Sequence, residues 1–226
     1  MTSAVPEPLT AIRGGLVVSC QAQPGDPLRD PRIMARMAEA AVRAGAAGVR
    51  VNGTEDVRLA REAVPVPVIG LWKDGEQGVY ITPTAEHALA VARAGAHIVA
   101  VDGTGRSRPD RRPLSATVEA VHRQTDALVL ADVSTVDDAL AAVDAGADAV
   151  ATTLSGYTGG DVPTGPDLDL VAQLARKVPV PVIAEGRIHT PRQAREALDA
   201  GAWAVVVGSA ITSPTWLTRQ YVEALG

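Results

Sequence analysis

The chain has 226 residues, a net charge of -5 and a hydrophobic content of 46%. This length suits one large α/β domain, and the negative charge argues against nucleic acids and anionic membranes as partners. The single cysteine, Cys20, excludes an internal disulfide and a cysteine-cluster metal site. Phe is absent and aromatic residues make up only 3%, so Val, Ala, Leu and Ile must form the core, as in a parallel sheet covered by helices.

The first 13 residues lack a basic segment and a long apolar run, and no later apolar run is long enough to span a bilayer. We therefore expect a cytoplasmic protein without a signal peptide. Residues 1–13 are predicted to be an N-terminal extension or a short lead-in helix.

Eight buried strands follow in chain order, at residues 16–20, 48–52, 66–73, 97–102, 127–132, 149–153, 180–184 and 204–207. Helical patterns fill the gaps, at residues 31–44, 55–63, 85–94, 114–123, 136–145, 168–177, 192–200 and 214–225. Strands that alternate with helices in this way predict a closed parallel (β/α)8 (TIM) barrel that forms a single domain over residues 1–226. An open doubly wound sheet is the alternative.

Polar residues or glycines stand at the carboxyl end of every predicted strand. In chain order they are Ser19 and Gln21, Arg50 and Asn52, Lys73, Asp102, Asp132, Thr153, Glu185 with Arg187, and Gly208 with Ser209. Because the carboxyl ends of barrel strands meet at the face where ligands bind, we expect an active site there. For any single residue, a charge that merely pairs at a solvated rim remains the alternative.

Lys73 is the most informative of these residues. The chain has 21 basic residues, of which only Lys73 and Lys177 are lysine. A lysine kept at a strand end indicates an amine that must lose its proton, which a guanidinium does not do. Neighbouring Arg50 and Arg187 would favour the neutral amine, whereas Glu185 would oppose it.

Glycines after the seventh and eighth strands predict a phosphate site. Gly186, Gly208 and Ser209 stand where many barrels bind phosphate through backbone N–H groups, and glycines that only make tight turns are the alternative. No histidine has metal-ligand spacing, and no nucleotide-binding motif occurs, so we expect neither a metal nor a nucleotide cofactor. Cys20 is predicted to be a small buried residue and not a nucleophile.

Eight segments together closely resemble N-acetylmannosamine-6-phosphate 2-epimerases, over nearly the whole chain. They are SCQA (19–22), GVRVNG (48–53), PVIGLWK (67–73), ITPT (81–84), ADVST (131–135), TTLSGYT (152–158), AEGRIHTP (184–191) and VVVGSAIT (205–212). The resemblance implies a (β/α)8 barrel that interconverts N-acetylmannosamine 6-phosphate and N-acetylglucosamine 6-phosphate in sialic-acid and amino-sugar catabolism. It also implies that the enzyme needs no redox cofactor and no metal.

The resemblance places the family's catalytic lysine on Lys73 and its catalytic glutamate on Glu185. It places a substrate-binding arginine on Arg50 and the strand-five aspartate, which we also expect to bind substrate, on Asp132. Ser213 stands where many members of the family have an arginine, and the segment at 74–80 is shorter and less basic than in many of them. Arg187 is therefore expected to bind substrate and to compensate for the missing arginine.

The expected chemistry begins with opening of the sugar ring, since the C2 hydrogen is acidic only beside a C1 aldehyde. Lys73 would act as base and proton donor, and Glu185 would orient it or act as the complementary acid. Arg50, Ser19 and Gln21 would hold the sugar oxygens.

Two other functions stay open: another phosphosugar barrel enzyme, either an epimerase or a lyase, and a non-catalytic phosphosugar-binding protein. Trp216 and Tyr221 on the last predicted helix suit either the surface of a homodimer or a face that covers the barrel.

Overall fold

A computed structural model describes residues 5–159 and 162–226 of the chain. Within these residues, eight parallel strands close into a barrel in which β1 pairs with both β2 and β8. The strands are β1 (Leu16–Cys20), β2 (Gly48–Asn52), β3 (Val68–Leu71), β4 (Ile98–Asp102), β5 (Leu128–Asp132), β6 (Ala149–Ala151), β7 (Val182–Glu185) and β8 (Ala204–Val207). The predicted (β/α)8 barrel is confirmed, and the open sheet is excluded.

The helices alternate with these strands. They are α1 (Glu7–Ala11), α2 (Pro31–Arg43), α3 (Thr54–Ala63), α4 (Ala85–Arg93), α5 (Leu114–Gln124), α6 (Val136–Asp144), α7 (Leu168–Lys177), α8 (Pro191–Asp199), α9 (Ser209–Thr212) and α10 (Pro214–Leu225). Helix α1 lies within the segment predicted as an extension or a short helix. Its Leu9 and the following Ile12 are fully buried and pack into the same cluster as the inward-facing residues of the strands.

Three predicted strands have the wrong bounds. The third begins at Val68 and not at residue 66, because the Pro65 and Pro67 that flank Val66 have no N–H to donate to a neighbouring strand. It ends at Leu71 and not at residue 73. The sixth ends at Ala151, where the chain turns into a 3₁₀ helix at Thr152–Leu154. The seventh runs from Val182 to Glu185, so Glu185 is the last residue of β7. Most other ends agree with the prediction to within one residue.

The barrel buries both faces of its sheet, as parallel strands between helices require. Ile69, Leu71 and Ile98 belong to the cluster that fills the inside of the barrel. Val49, Val51 and Val99 belong to the cluster that packs beneath the outer helices. Because alternate residues point to opposite faces, this packing determines which side chains at the strand ends face the barrel axis.

Helix α10 differs from the helices that cover the barrel, because none of its residues is buried. Tyr221 is 73% exposed and Leu225 is 88% exposed. Among residues 5–159 and 162–226, no helix combines the length and apolar character needed to cross a lipid bilayer.

Candidate active site

A cavity of about 290 Å³ opens at the carboxyl end of the barrel. A second cavity of about 180 Å³ adjoins it, because Gln21, Lys73, Thr153, Tyr157 and Glu185 line both. The predicted site residues that line the first cavity are Ser19, Gln21, Lys73, Glu185, Gly186, Arg187, Gly208 and Ser209, and Arg50 lines the second. The structure thus brings all the predicted site residues except Asp132 to one connected space.

Arg50 is the charged centre beneath this space. It projects from β2 and is 1% exposed. Its guanidinium donates to both carboxylate oxygens of Asp132, at 3.1 and 2.6 Å, and also to Oε2 of Glu185. Burial alone would lower the pKa of Arg50, but the two carboxylates raise it above its ordinary value. A buried guanidinium is tolerated only when it is paired in this way, so Arg50 holds both acids in place.

Asp132 lies at the end of β5 and is fully buried. Its Oδ1 accepts a hydrogen bond from the Thr153 hydroxyl at 2.7 Å in addition to that from Arg50. Both of its oxygens are therefore occupied, and the side chain lies below the cavity without lining it. Arg50 lines the second cavity whereas Asp132 lines neither, so Asp132 is placed to act on a bound molecule through Arg50.

Lys73 stands two residues beyond β3 and is half-buried. Its backbone N–H donates to Oδ1 of Asn52 at 2.8 Å, and an antiparallel bridge joins it to Ile81. Burial and the charge of Arg50 lower the pKa of the Lys73 amine, while Glu185 and Asp132 oppose the shift. The environment therefore favours the neutral amine, the form that can accept a proton.

Glu185 faces the cavity from the end of β7. Its backbone is fixed by Thr152, whose hydroxyl donates to the Glu185 carbonyl at 2.9 Å and accepts from its N–H at 3.1 Å. Burial and Asp132 raise the pKa of the Glu185 carboxyl, against the opposing effects of Arg50, Thr153 and Lys73. The pKa values of Lys73 and Glu185 are thus moved towards each other, which suits a pair that exchanges protons with a bound molecule.

Ser19 and Gln21 form a polar wall at the end of β1. The Gln21 amide donates to the Ser19 hydroxyl oxygen at 2.9 Å. Its own carbonyl oxygen, Oε1, is buried and has no hydrogen-bond partner within residues 5–159 and 162–226. Since an unpaired buried acceptor is unfavourable, this oxygen is suited to a donor group on a ligand.

Arg187 joins the end of β7 to the loop that follows β6. Its Nε donates to the Gly165 carbonyl at 2.8 Å and its Nη1 to the Ser155 carbonyl at 2.9 Å, and its guanidinium lies over the Tyr157 ring at 5.3 Å. The residue has a left-handed φ of 56°, which is uncommon for a residue other than glycine. Its Nη2 is buried and has no partner in the described part of the chain.

The glycines allow the backbone to line the same space. Gly186 has a φ of 111°, which a residue with a side chain would adopt only under strain. Gly208 precedes α9 and lies against Ser19, where an added Cβ would sit 3.4 Å from the Ser19 Cβ. The Thr212 hydroxyl donates to the Ser19 carbonyl at 2.8 Å and so ties α9 to β1.

Several residues that line the two cavities are not among the predicted site residues, and three of them are polar or aromatic neighbours of the predicted ones: Thr153, Tyr157 and Tyr80. Thr153 stands at a predicted strand end, and its hydroxyl lies between Asp132 and Glu185, 3.2 Å from Glu185 Oε2. Tyr157 lies in the TTLSGYT segment, but its place at the cavity depends on the loop after β6. Tyr80 lines the second cavity because the chain returns there beside Lys73, which no spacing in the sequence indicates.

Cys20 lies outside the site. Burial raises the pKa of its thiol to about 12, which disfavours the nucleophilic thiolate. In residues 5–159 and 162–226, no three His, Cys, Asp or Glu side chains are grouped so that they could hold a metal ion.

Comparison with known proteins places this barrel among sugar-phosphate epimerases. The family model described as "Putative N-acetylmannosamine-6-phosphate epimerase" matches residues 34–226. A relative from Cutibacterium acnes, named "Putative N-acetylmannosamine-6-phosphate 2-epimerase", is 53% identical over 220 residues, which cover 96% of each chain. A relative of the same name from Thermosynechococcus vestitus is 48% identical over 219 residues, covering 96% of this chain and 95% of the relative.

Solved structures agree with these matches. The N-acetylmannosamine-6-phosphate 2-epimerase from Clostridium perfringens superposes with a TM-score of 0.93, at 36% identity and with 99% of both chains covered. A thiamine phosphate pyrophosphorylase from Pyrococcus furiosus, at 19% identity and a TM-score of 0.60 over 96% of this chain and 99% of that one, shares the fold. The resemblance seen in the sequence motifs is confirmed, and the chain belongs to the N-acetylmannosamine-6-phosphate epimerase family.

Proposed function

We propose that the protein is an isomerase that interconverts N-acetylmannosamine 6-phosphate and N-acetylglucosamine 6-phosphate in amino-sugar and sialic-acid catabolism. The proposal rests chiefly on one observation. A lysine with a lowered pKa and a glutamate with a raised pKa line the same cavity at the carboxyl end of the barrel. Membership of the epimerase family gives the substrate class, and the chemistry of these two groups gives the reaction.

The two sugars differ only in configuration at C2. The C2 hydrogen becomes acidic when the ring opens and C1 is an aldehyde, because the resulting carbanion is delocalised onto the carbonyl oxygen as an enolate. Removal of the C2 proton from one face and its return to the other inverts the centre, with no net oxidation. A well-placed acid or base typically accelerates such a step by ~100–10,000-fold.

Lys73 takes the C2 proton as its neutral amine and returns a proton as the ammonium. Glu185 is either the complementary acid on the second face or the group that orients Lys73. Arg50 holds the Glu185 carboxylate and, with the Gln21 carbonyl and the Ser19 hydroxyl, positions the sugar oxygens. Its positive charge, held fixed by Asp132, stabilises the developing enolate. Asp132 therefore serves the reaction through Arg50.

The phosphate is bound between the ends of β7 and β8, by Arg187 together with backbone of Gly186, Gly208 and Ser209. Arg187 has a guanidinium nitrogen without a partner among the described residues, which makes it the cation best suited to this role. Ser213 is uncharged, and its hydroxyl accepts the Trp216 N–H at 3.2 Å and caps α10. Anchoring the phosphate leaves the reacting carbon at the other end of the cavity.

The experiment is direct. Purified protein is incubated with N-acetylmannosamine 6-phosphate, and the gluco epimer is followed by proton NMR. Its formation supports the proposal. Binding of the sugar phosphate without turnover would support a phosphosugar-binding protein, and trapping of a covalent adduct on Lys73 by borohydride would support a lyase that forms a Schiff base.

We further propose that the protein is a cytoplasmic homodimer in which α10 packs on a second copy. The apolar groove beside β8 has a volume of about 410 Å³ and is lined by Leu198, Val205, Val207 and Ile211 among others. A barrel helix that follows β8 would ordinarily cover this wall. Helix α10 leaves the groove open and exposes Tyr221 and Leu225, so the groove and the helix are complementary in apolar character. The occupant we propose is α10 of a partner subunit.

A further inference from the structure

A single imidazole contacts both chain neighbours of Lys73. The ring of His87, on α4, lies edge-on to Trp72, with 4.7 Å between ring centroids and an angle of 65° between planes. Its Nε2 lies 3.1 Å from Oδ2 of Asp74. Lys73 stands between these two residues, so His87 holds the chain on both sides of the proposed catalytic base.

The backbone here is extended, since Lys73 pairs with Ile81 in an antiparallel bridge, while the Asp74 N–H donates to the Tyr80 carbonyl at 2.9 Å. In extended backbone, successive side chains point to opposite sides. When Trp72 and Asp74 are both held on the outer side by His87, the side chain of Lys73 must point to the inner side. That is the side on which it lines both cavities.

His87 is itself fixed by Thr84, whose hydroxyl oxygen lies 2.7 Å from Nδ1. Since a carboxylate only accepts hydrogen bonds, Nε2 carries the proton that is donated to Asp74, and Nδ1 then accepts the Thr84 hydroxyl proton. Thr84 is the N-cap residue of α4, yet its side chain makes no capping hydrogen bond to the helix. Its hydroxyl is therefore used to orient the imidazole and leaves the helix start without its usual cap.

We propose that His87 is a positioning residue for the epimerisation, which aims the Lys73 amine into the cavity through Trp72 and Asp74. The inference rests on the proposed function, because it takes Lys73 as the base. His87 lines neither cavity, so we expect it to act on the rate of proton transfer and not on binding. A displacement of about 1 Å in a reacting group can cost on the order of 100-fold in rate.

The kinetic test compares His87→Ala with wild type. We expect kcat to fall by about 10- to 100-fold while KM changes by less than about 3-fold, because only the geometry of the reacting amine is lost. Asp74→Ala should lower kcat in the same sense, whereas Asp74→Asn should restore most of it, since its amide oxygen still accepts from Nε2. The losses in His87→Ala and Asp74→Ala should be less than additive in the double variant.

His122 provides a matched control. Its Nε2 lies 2.8 Å from Oδ2 of Asp148, which also accepts the N–H of Val129 near the start of β5. This pair is at the opposite end of the barrel from the cavity. His122→Ala should lower the thermal midpoint without changing kcat. If His87→Ala keeps the wild-type kcat, or loses activity only as much as His122→Ala does at equal loss of stability, the inference is wrong.

A second measurement needs no turnover. Lys73 and Lys177 are the chain's only lysines, so reductive methylation followed by mass spectrometry reports each amine separately, with Lys177 as the internal reference. In His87→Ala the methylation rate of Lys73 should change by at least about 3-fold relative to Lys177, because the released amine samples a different environment. If the ratio of the Lys73 to the Lys177 methylation rate is the same in His87→Ala as in wild type, positioning by His87 is contradicted, even if the wild-type protein has another activity. An inactive wild type with a changed ratio would instead contradict the proposed function alone.

Discussion

At the scale of single residues, the site is organised around a buried cation with two acids. Arg50 is almost completely enclosed and shares its guanidinium between Asp132 and Glu185. Such an arrangement contributes little net stability compared with an apolar core. It does fix the positions of the three charged side chains and the electrostatic potential at the base of the cavity. Lys73 lies in the field of this cluster, where burial and Arg50 make the neutral amine more favourable.

The lowered pKa of Lys73 predicts a stability effect that depends on pH. Protonating the amine costs free energy in the folded state, so wild type is penalised below the folded pKa and the penalty disappears as pH rises towards the ordinary value of 10.5. Lys73→Met should therefore raise the free energy of unfolding near neutral pH, and its advantage should shrink as pH increases. Denaturant unfolding between neutral pH and about pH 10.5 measures the difference in the free energy of unfolding between Lys73→Met and wild type. Lys177→Met is the matched surface variant. An advantage that grows with pH would contradict the assignment.

The sequence identifies Lys73, Glu185 and Arg50 because each is a charge at the end of a buried strand, a pattern that requires an explanation. It does not show that Asp132 lies below the cavity, because β4 and β5 end in aspartates and β6 is followed by threonines, and only their packing decides which side chains reach the open space. Tyr80 and His87 escape prediction for another reason. Their roles depend on the return of the loop after β3, which is set by the pairing between Lys73 and Ile81.

At the scale of elements, β3 is closely packed by the helices on either side of it. Gly70 lies at its centre, where an added Cβ would stand 2.7–2.8 Å from side chains of Val91, Ala96 and Val57. These residues come from α3, from α4 and from the turn after α4. The absence of a side chain at Gly70 thus lets both helices approach the strand that carries Lys73.

Gly70→Ala should lower the free energy of unfolding by about 1–3 kcal/mol, because three packed side chains or the strand itself must shift. Chemical denaturation measures the loss. The control is Gly105→Ala, since Gly105 has no left-handed φ and its nearest atom to an added Cβ is Oδ1 of Asp138 at 4.0 Å. Equal stability of the two variants would show that the helices do not pack as closely as described.

Strand and helix bounds were predictable where apolar runs and caps coincide. The capping boxes of α6 and α8, at Thr135 and Thr190, begin those helices within a residue or two of the predicted starts. The prediction fails at β6, since the alternation of side chains does not reveal that the chain turns into a 3₁₀ helix after Ala151. Helix α9 is too short to leave a periodic pattern.

At the scale of the whole molecule, the open groove and the exposed α10 predict a dimer in solution. The mass from light scattering should be twice that of the 23.3 kDa chain. Tyr221→Asp combined with Leu225→Asp should yield monomer, because charges would enter an apolar contact, whereas Arg219→Ala on the same helix should leave the dimer intact. A monomeric wild type would contradict the proposed assembly and leave the catalytic proposal unaffected.

The central claim is that Lys73 moves a proton at C2. The most direct test is proton NMR of N-acetylmannosamine 6-phosphate with the protein in deuterated water. We expect the gluco epimer to appear with deuterium at C2, and this exchange to fall by at least ~100-fold in Lys73→Arg, which keeps the positive charge and cannot act as a base. Undiminished exchange in Lys73→Arg would contradict the claim.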